Sequence, residues 1–105
     1  MPEIPDIERD SEVLTDSEIK LEKPKLFKVL LHNDDFTTME FVVFVLQQVF
    51  LKNLAEAYSI MMKVHEEGIG IAGIYTYEVA TMKAEKAMNL AKVREYPFLC
   101  TVEEE

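Results

Sequence analysis

The chain is short of cysteine, of basic side chains and of long apolar runs, and each shortage closes off a class of function. A single cysteine, Cys100, has no partner for an internal disulfide. Lys and Arg number 11 against 20 Asp and Glu, a net charge of -9 with His neutral. The surface therefore lacks the basic patch with which a protein displaces counterions from nucleic acid or an anionic membrane. Partners are expected to be cationic or neutral. No apolar run reaches the roughly 18 residues of a membrane span and no secretory leader pattern is visible, so the expected compartment is the cytoplasm. Neither an internal repeat nor a low-complexity core segment is present.

What the chain does have is material for one core: 105 residues, 49% of them hydrophobic, suffice for a single packed domain with little to spare for a second. Residues 1–24 stand apart. They hold eight acidic against three basic side chains, with Pro2, Pro5 and Pro24 and only scattered apolar residues, and read as a disordered acidic arm before a domain over 25–105.

The domain parses by period. Phe27, Val29 and Leu31 alternate with Lys28 between Leu26 and Leu31, marking a half-buried strand. The pair Thr37 and Glu40 has the spacing of a capping box, which makes the apolar run Phe41 to Leu51 a helix. That run is apolar nearly all round, so it is covered on more than one side or presents an apolar groove. Asn53 and Glu56 repeat the cap for a second helix, which carries Leu54, Ala57, Tyr58, Met61, Val64 and His65 and stops at Gly68. A second strand follows over Ile69 to Tyr75. Thr76 then caps a third helix with the small stripe Ala80, Ala84, Ala87 and Ala91, and Tyr96-Pro97 leads into a strand from Phe98 to Glu103. Cys100, within that strand, reads as an inert buried thiol.

The order βααβαβ predicts an α+β two-layer sandwich. A helical hairpin returns the chain to its starting end, so the second strand runs against the first, whereas the single third helix sets the third strand parallel to the second. With the first strand between them the sheet is three-stranded and antiparallel, with three helices on one face.

Candidate chemistry gathers at His32-Asn33-Asp34-Asp35-Phe36-Thr37-Thr38-Met39-Glu40-Phe41. Asn33 offers a carbonyl oxygen and Asp34 and Asp35 offer carboxylates, while His65 can add an imidazole nitrogen if the second helix folds back. A ligand with several donors and a positive charge fits such a cluster. The plain alternatives are an Asx-type turn for Asn33 to Asp35 and, for His65, an interaction with the last carbonyls of its own helix.

The same stretch resembles the signature Asn-Asp-Asp-aromatic-Thr-Pro-Met-Glu-Phe-Val of the ClpS family, adaptors that deliver N-degron substrates to the ClpA or ClpC unfoldase of the bacterial Clp protease. The similarity continues through Val64-His65, Gly68, Gly73, Tyr75 to Ala80, Lys83 and Pro97 to Glu103, so it spans roughly residues 26–104. Thr38 departs from it where the family has proline, and Thr81-Met82 where it has Glu-Thr.

The resemblance implies an adaptor and not an enzyme: no catalytic residue, no metal, no cofactor. It assigns Asn33, Asp34, Asp35 and His65 to the α-amino group of the degron, and Thr37, Met39, Val42, Met61, Val64 and Phe98 to a pocket for its bulky first side chain (Leu, Phe, Tyr or Trp). It assigns Glu78 and Lys83 to contact with the N-terminal domain of ClpA or ClpC, and makes the acidic arm a segment that the unfoldase engages. A monomer is expected, with neither nucleic acid nor membrane among its partners. Two other readings remain at this point: a metal-dependent hydrolase using Asp34, Asp35 and His65, and a structural interaction module like the ribosomal stalk C-terminal domain, which shares the βααβαβ order.

Overall fold

The computed structural model describes residues 23–105. The arm expected over 1–24 lies, but for its last two residues, outside that described part. Strand β1 (Phe27–His32) is followed by helices α1 (Met39–Gln48) and α2 (Leu54–Glu67), strand β2 (Ile69–Tyr75), helix α3 (Tyr77–Val93) and strand β3 (Leu99–Glu104). The predicted order and the two-layer α+β architecture both hold.

β1 is central, with β2 on one side and β3 on the other, and both pairings are antiparallel. Register follows the pleat. Val29 and Leu31 point into the core opposite Val102 and Cys100, and the outward Lys28 faces Glu103 across an ion pair of 3.5 Å. On the β2 side the register slips between Val29, which pairs with Gly73, and Leu30, which pairs with Ile71, so Ala72 forms a bulge. Gly70 allows a close approach, since a Cβ there would stand 2.7 Å from the Val64 Cγ2 of α2.

The helix ends carry two corrections. α1 begins at Met39 and its N-cap is Thr38, whose hydroxyl accepts from the Phe41 amide at 3.1 Å. The predicted cap, Thr37, is held instead by Asp34, to whose Oδ2 it donates its hydroxyl at 2.7 Å. α1 also stops at Gln48, short of Leu51, because Val49 is its C-cap and Leu51 turns the chain through a positive φ of 56°. α2 behaves as its sequence predicts: Glu56 N donates to Asn53 Oδ1 at 2.8 Å, Asn53 N donates to Glu56 Oε1 at 3.2 Å, and Gly68 closes the helix at φ 90°. Thr76 occupies the N-cap of α3 with extended backbone, but its side chain makes no capping bond.

The core follows from these placements. Ala80, Ala84, Ala87 and Ala91 are buried along α3, as the small stripe predicts. Phe41, buried on α1, meets Phe98 edge-on at 5.9 Å and Tyr96 at 5.1 Å, and the Arg94 guanidinium lies 5.3 Å from its ring centre. Truncating such a fully packed phenylalanine costs about 3 to 5 kcal/mol, and Phe41 thus anchors the helix whose first turn borders the candidate site.

Candidate functional site

At the end of β1 the chain enters a turn that Asp34 organises. Its Oδ1 accepts from the Phe36 and Thr37 amides at 2.8 and 2.7 Å, and its Oδ2 from the Thr37 hydroxyl at 2.7 Å. Partial burial opposes the Asp34 charge, but the bonds from Thr37 and Phe36 outweigh it and hold the carboxyl below the usual aspartate range. The Asx-type turn and the acceptor cluster are therefore one structure, with Asp34 spending its oxygens on the turn and leaving Asn33 and Asp35 at its edge.

The antiparallel β1–β2 ladder, paired to its end at His32 and Ile69, brings the far end of α2 to this turn. The Asn33 amide donates to the Gly68 carbonyl at 3.0 Å, which sets the last turn of α2, with Val64 and His65, beside the end of β1. The result is a cavity of about 290 Å³ lined by Asn33, Asp34, Asp35, Thr37, Met39, Val42, Met61, Val64 and His65. Its two ends differ in chemistry. The floor is Val42, Met61 and Val64, all buried, whereas Asn33, Asp35 and His65 at the polar end are exposed. Among the described residues none of the side chains of Asn33, Asp35 and His65 has a hydrogen-bond partner within the protein. Met39 stands at the rim with 41% of its surface exposed.

Every residue lining the cavity was named from the sequence. Phe98 was named too and does not line it: the ring is buried against Phe41. Thr37 lines it with its hydroxyl already donated to Asp34. Glu78 and Lys83 lie on α3, away from the cavity. Glu78 is exposed in the first turn, whereas the half-buried Lys83 donates its ammonium to the Val49 carbonyl at 2.8 Å and sits 5.4 Å from the centre of the Tyr75 ring. Asp34, Asp35 and His65 do not form a group able to hold a metal ion, nor does any other set of His, Cys, Asp and Glu among the described residues. Burial pushes the Cys100 thiol up to about 12, which leaves it a poor nucleophile.

A pocket with acceptors at its mouth and an apolar floor, built on this fold, coincides with a family match. The family described as "ATP-dependent Clp protease adaptor protein ClpS" matches residues 22–101. The chain belongs to the ClpS family. It is 52% identical over 102 residues to the ATP-dependent Clp protease adapter protein ClpS of Desulfatibacillum aliphaticivorans, covering 96% of this chain and 98% of that one. The Parvibaculum lavamentivorans ClpS is 50% identical over 93 residues, 89% of this chain and 84% of its own. Among solved structures, Agrobacterium tumefaciens ClpS2 bound to L-phenylalaninamide superimposes with a TM-score of 0.76 at 38% identity, covering 78% of this chain and 99% of that one. As a ClpS, the protein is an adaptor of the Clp protease and not an enzyme. No helix among the described residues is long and apolar enough to cross a membrane.

Proposed function

We propose that the cavity binds the free α-amino group and bulky apolar first residue of N-degron proteins, and that the protein, as a cytoplasmic monomer, delivers them to the N-terminal domain of a Clp unfoldase, ClpA or ClpC. The observation that carries this reading is the junction in one cavity of Asn33 and His65 acceptors, without side-chain partners among the described residues, with the apolar floor of Val42, Met61 and Val64. A chain N-terminus is the ligand with both complements. Its ammonium donates three hydrogen bonds and has an ordinary pKa of about 7.7 to 8, and its first side chain follows within one Cα. Well-formed hydrogen bonds to a charged group contribute about 1.5 to 3 kcal/mol each.

The apolar half suits large side chains. Met39 and Met61 are unbranched and polarizable, so one socket adapts to Leu, Phe, Tyr and Trp without separate sub-sites. The bound L-phenylalaninamide of the A. tumefaciens relative, a free α-amino group beside an aromatic side chain, supports the same chemistry. Asp34 supports the site indirectly: by fixing Thr37 it sets the turn from which Asn33 and Asp35 project. Delivery is assigned to α3 through Glu78, with Lys83 contributing as far as its bond to Val49 allows.

The test is a peptide panel read by fluorescence anisotropy. Peptides starting with Leu, Phe, Tyr or Trp bind, and the same peptides with an acetylated N-terminus bind far more weakly, because acetylation removes the charge and two of the three donors. Equal binding of free and acetylated forms overturns the reading.

A further inference from the structure

The methionines differ sharply in how far they reach solvent. Met61 is 3% exposed, and Met62 and Met88 are partly buried against the core. Among the described residues only Met39 and Met82 are largely open, at 41% and 60%. Met82 lies on α3, away from the cavity, whereas Met39 is the first residue of α1 and lines the cavity together with Val42, Met61 and Val64. One thioether is thus both open to water and part of the socket.

An exposed thioether reacts with hydrogen peroxide. The sulfur lone pair attacks one peroxide oxygen: an S–O bond forms, the O–O bond breaks, and the departing hydroxide takes the proton left on the transferred oxygen and leaves as water. Sulfur gives up two electrons and the peroxide is reduced by them. The product, methionine sulfoxide, puts a polar, chiral side chain where a flexible apolar one stood, and reductases reverse the change. Burial withholds Met61, on the floor of the same cavity, from the oxidant.

We propose that Met39 is a reversible oxidation site, and that its conversion to the sulfoxide closes the cavity to N-degrons. The inference rests on the N-degron reading of that cavity. A bound apolar first residue covers surface that Met39 exposes when the cavity is empty, so a sulfoxide there exchanges water for a hydrocarbon neighbour with no donor to offer. The degron ammonium does not compensate it, since in that reading Asn33, Asp35 and His65 already supply acceptors for its three N–H bonds. Occupancy works in the other direction: a seated side chain shields the thioether. Peroxide therefore disarms the empty adaptor and spares the loaded one.

The experiment treats the full-length protein with graded hydrogen peroxide, removes the excess with catalase, and maps each methionine by mass spectrometry while a Leu-started peptide reports affinity by fluorescence anisotropy. Met39 should oxidise alongside Met82, the exposed internal standard, and ahead of Met61. Affinity should fall about five- to thirtyfold in the Met39 sulfoxide form, the scale of burying a polar group without a partner. Methionine sulfoxide reductases of both stereochemical classes should restore it. Met39→Leu, measured against its own untreated affinity, should lose nothing to peroxide. A saturating Leu-started peptide should protect Met39 but not Met82, and its acetylated form should protect neither. The proposal is overturned if Met82 oxidises while Met39 does not, if Met39 sulfoxide leaves affinity unchanged, or if Met39→Leu loses as much of its affinity to peroxide as the parent protein; in each case the N-degron reading stands alone. Should free and acetylated peptides bind alike before any peroxide is added, both readings fall together.

Discussion

The Asn33 amide and the Gly68 carbonyl, 3.0 Å apart, join the end of the central strand to the end of α2. At this junction, which extends the β1–β2 ladder, two residues 32 positions apart in sequence, Asn33 and His65, line one cavity. Each projects from the end of an element, and neither side chain is used by the protein's own hydrogen bonding among the described residues. Asn33→Ala and His65→Ala are therefore expected to weaken binding of a Leu-started peptide by about 1 to 3 kcal/mol with thermal unfolding unchanged. Unaltered affinity in both variants would mean that the ammonium lodges elsewhere.

Asp34 gives a prediction in pH. Its carboxyl is held below its ordinary range, so it contributes stability above the unfolded-state value of about 3.9 and loses that contribution as pH falls through the folded value. Asp34→Ala should cost about 1 kcal/mol at pH 7, the ordinary net worth of such half-exposed bonds, and the gap to the parent protein should narrow on acidification toward pH 3. Urea denaturation at the two pH values measures it. A gap that widens in acid contradicts the clasp.

Met39 is expected to restrict what the cavity admits. Its side chain lines the cavity and is 41% exposed, a position from which it is expected to collide with the second branch of a β-branched first residue. Met39→Ala should admit Val- and Ile-started peptides by removing a clash, not by adding an attraction. A variant that still rejects Ile while holding Leu would place the restriction at Val42 or Met61.

Glu78 and Lys83 should separate on mutation. Lys83 supplies α1 with the cation that its own last turn lacks, since its ammonium meets the Val49 carbonyl at the helix end. Lys83→Met is expected to lower stability by about 1 to 2 kcal/mol as well as any unfoldase affinity. Glu78→Gln, on an exposed position, should affect unfoldase binding alone. Calorimetric melting beside a pull-down with the unfoldase N-terminal domain resolves the two. Equal melting temperatures for the parent protein and Lys83→Met would deny Lys83 its structural part.

The arm should matter for delivery and not for capture. A chain lacking residues 1–24 is expected to bind peptides as tightly as the full chain, whereas degradation of a Leu-started reporter by the cognate Clp protease falls. Were affinity to drop as far as degradation, the arm would belong to the binding site.

The sequence was most legible where a local rule had a single candidate. Asn53 and Glu56, Gly68, and the alternation of β1 each had one, and they placed α2, its end and the central strand. Where candidates competed, tertiary contacts decided. Thr37 and Thr38 are equally good caps, and only the claim of Asp34 on Thr37 leaves the role to Thr38. The end of α1 was hidden because Val49, Phe50 and Leu51 continue the apolar run without glycine or proline, and Leu51 takes a left-handed turn with no residue-type signal. The cavity walls were legible from the family pattern, but the depth of Phe98 was not. Tyr58 shares the period of the α2 core residues and yet is largely exposed. The Lys83 bond to Val49 spans 34 residues, beyond any local pattern.

The bulge at Ala72 has a bearing on how the protein survives in company. β2 carries no charged side chain, turns Ile69, Ile71 and Ile74 outward, and among the described residues has no strand along its outer edge. Such an edge invites a second chain to add itself, and the usual deterrents, a lysine or a proline, are missing from it. The extra residue breaks the regular spacing of amides and carbonyls midway, so a newcomer can zip up along only half the strand before falling out of step. In an adaptor whose working life is spent beside unfolding polypeptides, that one-residue irregularity is a safeguard against being recruited into an aggregate.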